Sequence, residues 1–179
     1  MYLPLNSAYT NSEIEYFLTD AESRLHVCVA DRLSHIESLK GSMPGLQVLT
    51  LDGETGTLVD AFESAKATGQ SFTNVVARAF DDLASIIYTS GTTGKPKGAM
   101  ITHSNLVANA EMLTEACGYD SADVLLHSLP LFHVHGLFVA LNLALINGGS
   151  VIMLPKFDAE MVLEAMPDVT VIMGVPTYY

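Results

Sequence analysis

Eleven consecutive residues carry the most chemistry in this chain: Tyr88-Thr89-Ser90-Gly91-Thr92-Thr93-Gly94-Lys95-Pro96-Lys97-Gly98. They hold three glycines, four Ser/Thr hydroxyls and two lysines. Such a set suits a polyphosphate. Glycines let backbone N–H groups approach oxygens closely, hydroxyls donate further hydrogen bonds, and lysines neutralise charge. The flanks sharpen the reading, because Leu83 to Ala110 contains no Asp or Glu, and Lys95 and Lys97 are its only formal charges. The same composition also belongs to an ordinary surface hairpin loop, since Gly, Ser and Thr are common turn residues. A P-loop is excluded. That motif needs four residues between its first glycine and the Gly-Lys pair, followed by Ser or Thr. Here Thr92 and Thr93 alone separate Gly91 from Gly94-Lys95, and Pro96 follows, with neither a hydroxyl nor an N–H to offer.

The elements around the loop alternate helix and strand. Ser12 with Glu15 has capping-box spacing before Ile14, Phe17 and Leu18. Leu25–Ala30 is a short strand, Leu33, Ile36 and Leu39 mark a helix ended by Gly41 and Pro44, and Leu46–Leu51 is a second strand. Thr57 with Asp60 opens a helix carrying Leu58, Phe62 and Ala65, which makes residues 1–65 a pair of βα units. Residues 66–82 are polar and irregular and read as a connection. Ala84–Tyr88 is a buried strand leading into the glycine-rich loop, Ala99–Thr102 is a strand leaving it, and residues 104–116 form a helix. Further strands are expected at 124–129, 151–154 and 170–173, with helices at 133–146 and 158–166. The fold class is therefore α/β, with mostly parallel sheets flanked by helices.

Composition limits the partners. The chain has 179 residues, 49% hydrophobic and 16% charged, with 20 acids against 8 bases and a net charge of −12. This is enough apolar residue for a sizeable core and too little charge for a disordered tail. The acidic field opposes nucleic acid and anionic membrane surfaces, so neither is an expected partner. The apolar run Gly136–Ile146 is too short to span a bilayer, and Met1–Asn6 has no basic segment of the kind that begins a secretory signal. Cys28 and Cys117 lack metal-ligand spacing and read as reduced thiols of a cytoplasmic protein. His133-Val134-His135 has a chelating spacing but no third ligand nearby, which leaves a core histidine at a helix start as the competing reading.

The segment Tyr88–Gly98 resembles, at all eleven positions, the phosphate-binding signature of the adenylate-forming (AMP-binding) enzymes: acyl-CoA synthetases, luciferases and peptide-synthetase adenylation domains. Pro130-Leu131-Phe132-His133-Val134-His135-Gly136-Leu137 resembles that family's acyl-site motif, and Gly174-Val175-Pro176-Thr177-Tyr178-Tyr179 the segment lining its carboxylate pocket. With the opening Leu3-Pro4-Leu5-Asn6-Ser7-Ala8-Tyr9-Thr10, the pattern is most similar to the malonyl-CoA synthetases.

The resemblance implies ATP-dependent activation of a small carboxylic acid, malonate above all, to an acyl-adenylate and then to a CoA thioester in fatty acid metabolism. ATP, Mg²⁺ and CoA are the implied cofactor and co-substrates. Thr89, Ser90, Gly91, Thr92, Thr93, Gly94, Lys95, Pro96, Lys97 and Gly98 would hold ATP phosphates, with Thr92 the candidate Mg²⁺ contact. His133, Gly174, Val175, Pro176 and Thr177 would line the acyl site, with His135 structural. The chain reads as an incomplete N-terminal AMP-binding domain, 1–179, with its phosphate loop at 88–98 and its acyl-site region at 130–179. The C-terminal domain with its catalytic lysine is absent, as are the Mg²⁺-binding acidic motif and the ribose-binding aspartate, so no catalytic residue is assigned. Arg24, Arg32 and Arg78 all precede the loop and Lys156 lies in no motif, so a cation for malonate's second carboxylate is expected downstream of Tyr179. A non-catalytic nucleotide-binding remnant, or a ligase for methylmalonate or a fatty acid, are the alternatives. Finally, with no carboxylate near its lysines, segment 90–98 is expected to gain order when nucleotide binds.

Overall fold

The computed structural model describes residues 1–69, 75–89 and 95–178. They fall into two compact units, Ser7–Arg78 and Met1–Asn6 with Ala79–Tyr179.

In the first unit, β1 (Leu25–Cys28) pairs parallel with β2 (Gln47–Thr50), Leu25 opposite Gln47 and Cys28 opposite Thr50. Helix α1 (Asn11–Asp20) buries Ile14, Phe17 and Leu18, as their spacing requires. Its cap differs from the expected Ser12/Glu15 pair. The same Ser/Thr-x-x-Glu pattern occurs two residues earlier, and there Thr10 takes the Glu13 amide while Glu13 takes the Thr10 amide and hydroxyl. The hydroxyl and then the amide hold the Glu13 carboxyl below its usual range. Helix α2 (Leu33–Ser38) buries Ile36, and a 3₁₀ turn, Leu39–Gly41, follows. The Arg32 guanidinium ties this unit together by donating to the Tyr9 and Ser7 carbonyls at 2.8 and 3.0 Å. Helix α3 (Thr57–Ala67) starts where expected but is capped by Gly56, because the Thr57 hydroxyl accepts instead from the Thr50 amide at 2.9 Å. Phe62, expected on its apolar face, is 59% exposed. The helix also extends two residues into the span expected to be irregular.

The second unit holds two sheets. β3 (Leu83–Thr89) and β4 (Lys97–Thr102) form an antiparallel hairpin. Among the described strand pairs they are the antiparallel exception, because so short a connection cannot cross over a sheet. Tyr2 bridges β3 in parallel on its other edge, with the Tyr2 amide on the Ala84 carbonyl at 2.8 Å and the Ser85 hydroxyl on the Tyr2 carbonyl at 2.9 Å. Helix α4 (His103–Cys117) follows β4 directly, with Thr102 and Asn105 forming its capping box and Gly118 closing it at φ 64°. The other sheet has the order β6-β5-β7, all parallel: β5 (Val124–His127) in the middle, β6 (Ser150–Met153) and β7 (Val171–Ile172) on either side.

The region 133–146 is not one α-helix. His135–Leu141 is a π-helix, which passes into α5 (Asn142–Ile146). A Cβ on Gly136 would run into the Pro130 carbonyl, so the glycine lets the helix start lie against the turn before it. Helix α6 (Ala159–Ala165) is capped by Asp158, whose carboxylate accepts from the Glu160 and Met161 amides. Leu125, Leu129, Ala140, Leu143 and Ala144 form the core of the unit with Tyr119, and Met173 and Tyr178 pack against it.

Candidate active site

The glycine-rich segment connects β3 to β4. Thr89 pairs with Lys97 and Tyr88 with Gly98, so the ladder closes at the base of the loop. Both lysines are exposed. Ser90, Gly91, Thr92, Thr93 and Gly94 lie outside the described residues, as does most of the segment expected to gain order with nucleotide. Gly98 has a packing role of its own. A Cβ there would come within 2.7 Å of the Ile86 Cγ2 and 3.3 Å of the Tyr88 ring, so only glycine lets these side chains lie across the hairpin.

This geometry differs electrically from a P-loop, in which the strand feeds a helix N-terminus that helps bind phosphate. Here α4 begins after β4, and the six residues of β4 separate Lys97 from Thr102 by roughly 17 Å. The helix dipole therefore does not act at the loop. Lys95 and Lys97 are the positive charges at the base of the loop, and the sequence from Leu83 to Ala110 holds no acid to oppose them.

The residues expected to line the acyl site gather on the other sheet. His133 lies in the turn that follows β5, and Gly174, Val175, Pro176 and Thr177 follow β7, the parallel neighbour of β5. Both segments thus leave the carboxyl ends of adjacent parallel strands, where open α/β sheets hold their ligands. The His133 imidazole is exposed, 4.5 Å from the Phe132 ring by centroid, while the His133 amide donates to the Pro130 carbonyl and its own carbonyl accepts from Leu137. His135 is half-buried at the start of the π-helix. A 3₁₀ turn, Pro176–Tyr178, closes with the Tyr178 amide on the Val175 carbonyl at 2.8 Å. Phe157, after β6, stacks on Tyr178 with centroids 3.9 Å apart. All three strand exits therefore converge. The hairpin and this cluster stand on separate sheets, joined by α4, which packs on the π-helix and α5.

Two residues outside the sequence-derived set belong to this end of the sheet. His127, the last residue of β5, is 2% exposed, and its Nε2 lies 2.8 Å from the Gly136 carbonyl. It had passed as one more strand residue; the available signal was a histidine nine positions before the glycine of the acyl-site motif. Lys156, which lies in no motif, sits in the turn after β6 beside Phe157 and is the sole Lys or Arg after Lys97. For Mg²⁺, Thr92 lies outside the described residues, and among the described residues no group of three or more His, Cys, Asp or Glu converges. Cys28 is buried and its thiol is pushed up by burial and then by Asp52, while Cys117 is exposed; both are free. No helix among the described residues is long and apolar enough to cross a membrane.

Known proteins share this fold. The chain is 37% identical over 182 residues to the mitochondrial malonate–CoA ligase of Mus musculus, a match covering 99% of this chain and 30% of the relative. ATP-bound MatB from Rhodopseudomonas palustris superposes with a TM-score of 0.90 at 46% identity, covering all of this chain and 35% of that one. A malonyl-CoA ligase solved as a ternary product complex with methylmalonyl-CoA and AMP gives a TM-score of 0.77 at 31% identity, covering 99% of this chain and 35% of that one. The chain thus spans about a third of the length of these relatives. The family model described as AMP-binding enzyme matches residues 1–179, its whole length, and the chain belongs to that family.

Proposed function

We propose that this chain is part of an acid–thiol ligase that activates malonate with ATP and passes it to CoA. The observation that carries the reading is the β3–β4 hairpin, which presents Lys95 and Lys97 from an acid-free window in a protein of net charge −12. Residues 1–179 are then an incomplete N-terminal AMP-binding domain, with the phosphate loop at 88–98, the acyl-site region at 130–179, and the C-terminal domain and its catalytic lysine in another part of the protein.

In this reading a malonate carboxylate oxygen attacks the α-phosphorus of ATP. The bond to the bridging oxygen breaks, pyrophosphate leaves, and an acyl-adenylate remains. The CoA thiolate then adds to the acyl carbon and AMP departs. Thr89, Ser90, Thr92, Thr93, Lys95 and Lys97, with the backbone N–H groups of Gly91 and Gly94, hold the β- and γ-phosphates; Pro96 stiffens the turn and Gly98 keeps its base closed. Their contribution is electrostatic, placed where charge builds on the departing pyrophosphate. Mg²⁺, with Thr92 as its candidate contact, would neutralise the same oxygens. His133 orients the carboxylate at the mouth of the cluster, and Gly174, Val175, Pro176 and Thr177 form its wall.

ATP-bound MatB and the methylmalonyl-CoA complex support the nucleotide and the acyl class. The test is a carboxylate panel assayed with ATP, Mg²⁺ and CoA on the full-length protein, reading thioester and pyrophosphate. Malonate is expected to be the fastest substrate, with methylmalonate next. A preference for monocarboxylic fatty acids overturns the substrate, and the absence of pyrophosphate release with any acid favours a non-catalytic nucleotide-binding remnant. The 179-residue chain alone is expected to form no thioester. A cytoplasmic setting and a place in fatty acid metabolism complete the proposal. The free thiols agree with the former, the mouse relative is named mitochondrial, and cell fractionation decides.

A further inference from the structure

We infer that His127 is the positioning residue of the acyl site: it fixes the Pro130–Gly136 turn, and through it His133, without touching substrate. His127 ends the central strand of its sheet and is bound in two directions. Its backbone carbonyl accepts the Leu154 amide at 2.8 Å, holding the exit of β6, and its Nε2 lies 2.8 Å from the Gly136 carbonyl, holding the start of the π-helix. A carbonyl only accepts, so the proton of this hydrogen bond is on Nε2. Between these anchors the chain turns back. The His133 amide reaches the Pro130 carbonyl, the Leu137 amide reaches the His133 carbonyl, and Gly136 lies against Pro130 too closely to admit a Cβ. The turn is thus closed on itself by local bonds but tied to the sheet by the imidazole. The imidazole is 2% exposed, whereas the His133 ring is open to solvent. Losing the donor removes the hydrogen bond that joins the end of β5 to the start of the π-helix. The turn can then shift as a unit, and a displacement of 1 Å at a positioning element is enough to cost a substrate its productive pose.

This inference rests on the proposed carboxylate activation, and its test separates the two. His127→Leu removes the donor at similar bulk, while His127→Gln returns an N–H near the place of Nε2. In the full-length enzyme, H127L is expected to raise the carboxylate KM at least tenfold while the ATP KM stays within twofold, and H127Q to recover most of that loss. Amide exchange on the same three proteins needs no substrate. Residues 130–137 are expected to exchange faster in H127L than in the wild type and to be restored in H127Q, with β3 unchanged. A wild type that activates no carboxylate ends the functional reading and leaves the exchange result to judge His127. Equal exchange at 130–137 in all three proteins overturns the inference, and so does a lower melting temperature with both KM values unmoved, which marks a purely structural residue.

Discussion

Phe157 stacks on Tyr178 at 3.9 Å with the rings 17° from parallel, joining the turn after β6 to the segment after β7, two strands that do not touch each other. The contact bridges over the end of β5. An aromatic pair of this kind adds about 1 kcal/mol beyond the area it buries. Phe157→Ala is expected to lower stability by about 1–2 kcal/mol in denaturant titrations and to raise the carboxylate KM, while Phe157→Tyr keeps both. Unchanged values in F157A would mean that the Pro176–Tyr178 turn holds its position without the ring.

Lys97 opens β4 opposite Thr89 and so is the loop cation with a backbone position set by the ladder. Lys97→Ala in the full-length enzyme is expected to slow malonate-dependent pyrophosphate exchange by about 100-fold, the scale of losing one preorganised electrostatic group. Arginine at the position should restore part of the rate. An unaltered exchange rate removes Lys97 from the phosphate site.

Gly136 admits no side chain, because the atom that a Cβ would meet is the Pro130 backbone carbonyl rather than a movable side chain. Gly136→Ala therefore forces the π-helix away from the turn. Overpacking of this sort costs about 1–3 kcal/mol. Equilibrium unfolding should show that loss, and a stability equal to the wild type would show that the helix can shift without strain.

Asp123 precedes β5 and Thr170 precedes β7, and the Thr170 hydroxyl donates to the Asp123 carboxylate at 2.6 Å while accepting the Val124 amide. That hydroxyl, and after it the Asp120 amide, hold the Asp123 carboxyl below the ordinary aspartate range. A depressed folded-state value means that the unfolded chain takes up the proton first. The pair therefore stabilises the fold fully above about pH 4, the ordinary aspartate value, and its contribution fades as pH falls towards the folded-state value. Melting temperature followed from pH 6 to pH 3 should drop more steeply in the wild type than in Thr170→Val. Parallel curves would show that the hydroxyl does not set the titration.

Local signals carried most of the architecture. The burial of Ile14, Phe17 and Leu18, the strand before the glycine-rich loop and the strand after it all follow from spacing within a few residues. What escaped was decided over longer distances or between near-equal local choices. Thr10/Glu13 and Ser12/Glu15 are both valid caps, and two residues of register separate them. At the start of the π-helix Gly136 meets Pro130 and the imidazole nine residues upstream, and neither contact alters the apolar periodicity of 135–146. Phe62 shows the converse, since its spacing was right for a buried face and the first unit leaves it open. At the candidate site, His133 and the 174–177 segment were legible as motifs. That they share one sheet end with Phe157 and His127 required the β6-β5-β7 order.

That strand order also sets a timetable for synthesis. The β3–β4 hairpin is assembled from residues 83–102, so it can form as soon as that short stretch has left the ribosome. β5 follows soon afterwards but waits for both of its neighbours, and the last of them, β7, is not made until Val171 and Ile172. In the interval one edge of a strand containing Leu125 and Leu126, both fully buried once folded, stands unpaired. The β6-β5-β7 sheet is therefore the part exposed to mispairing during translation, and chaperone binding to the nascent chain should concentrate on the apolar stretch that begins at Val124.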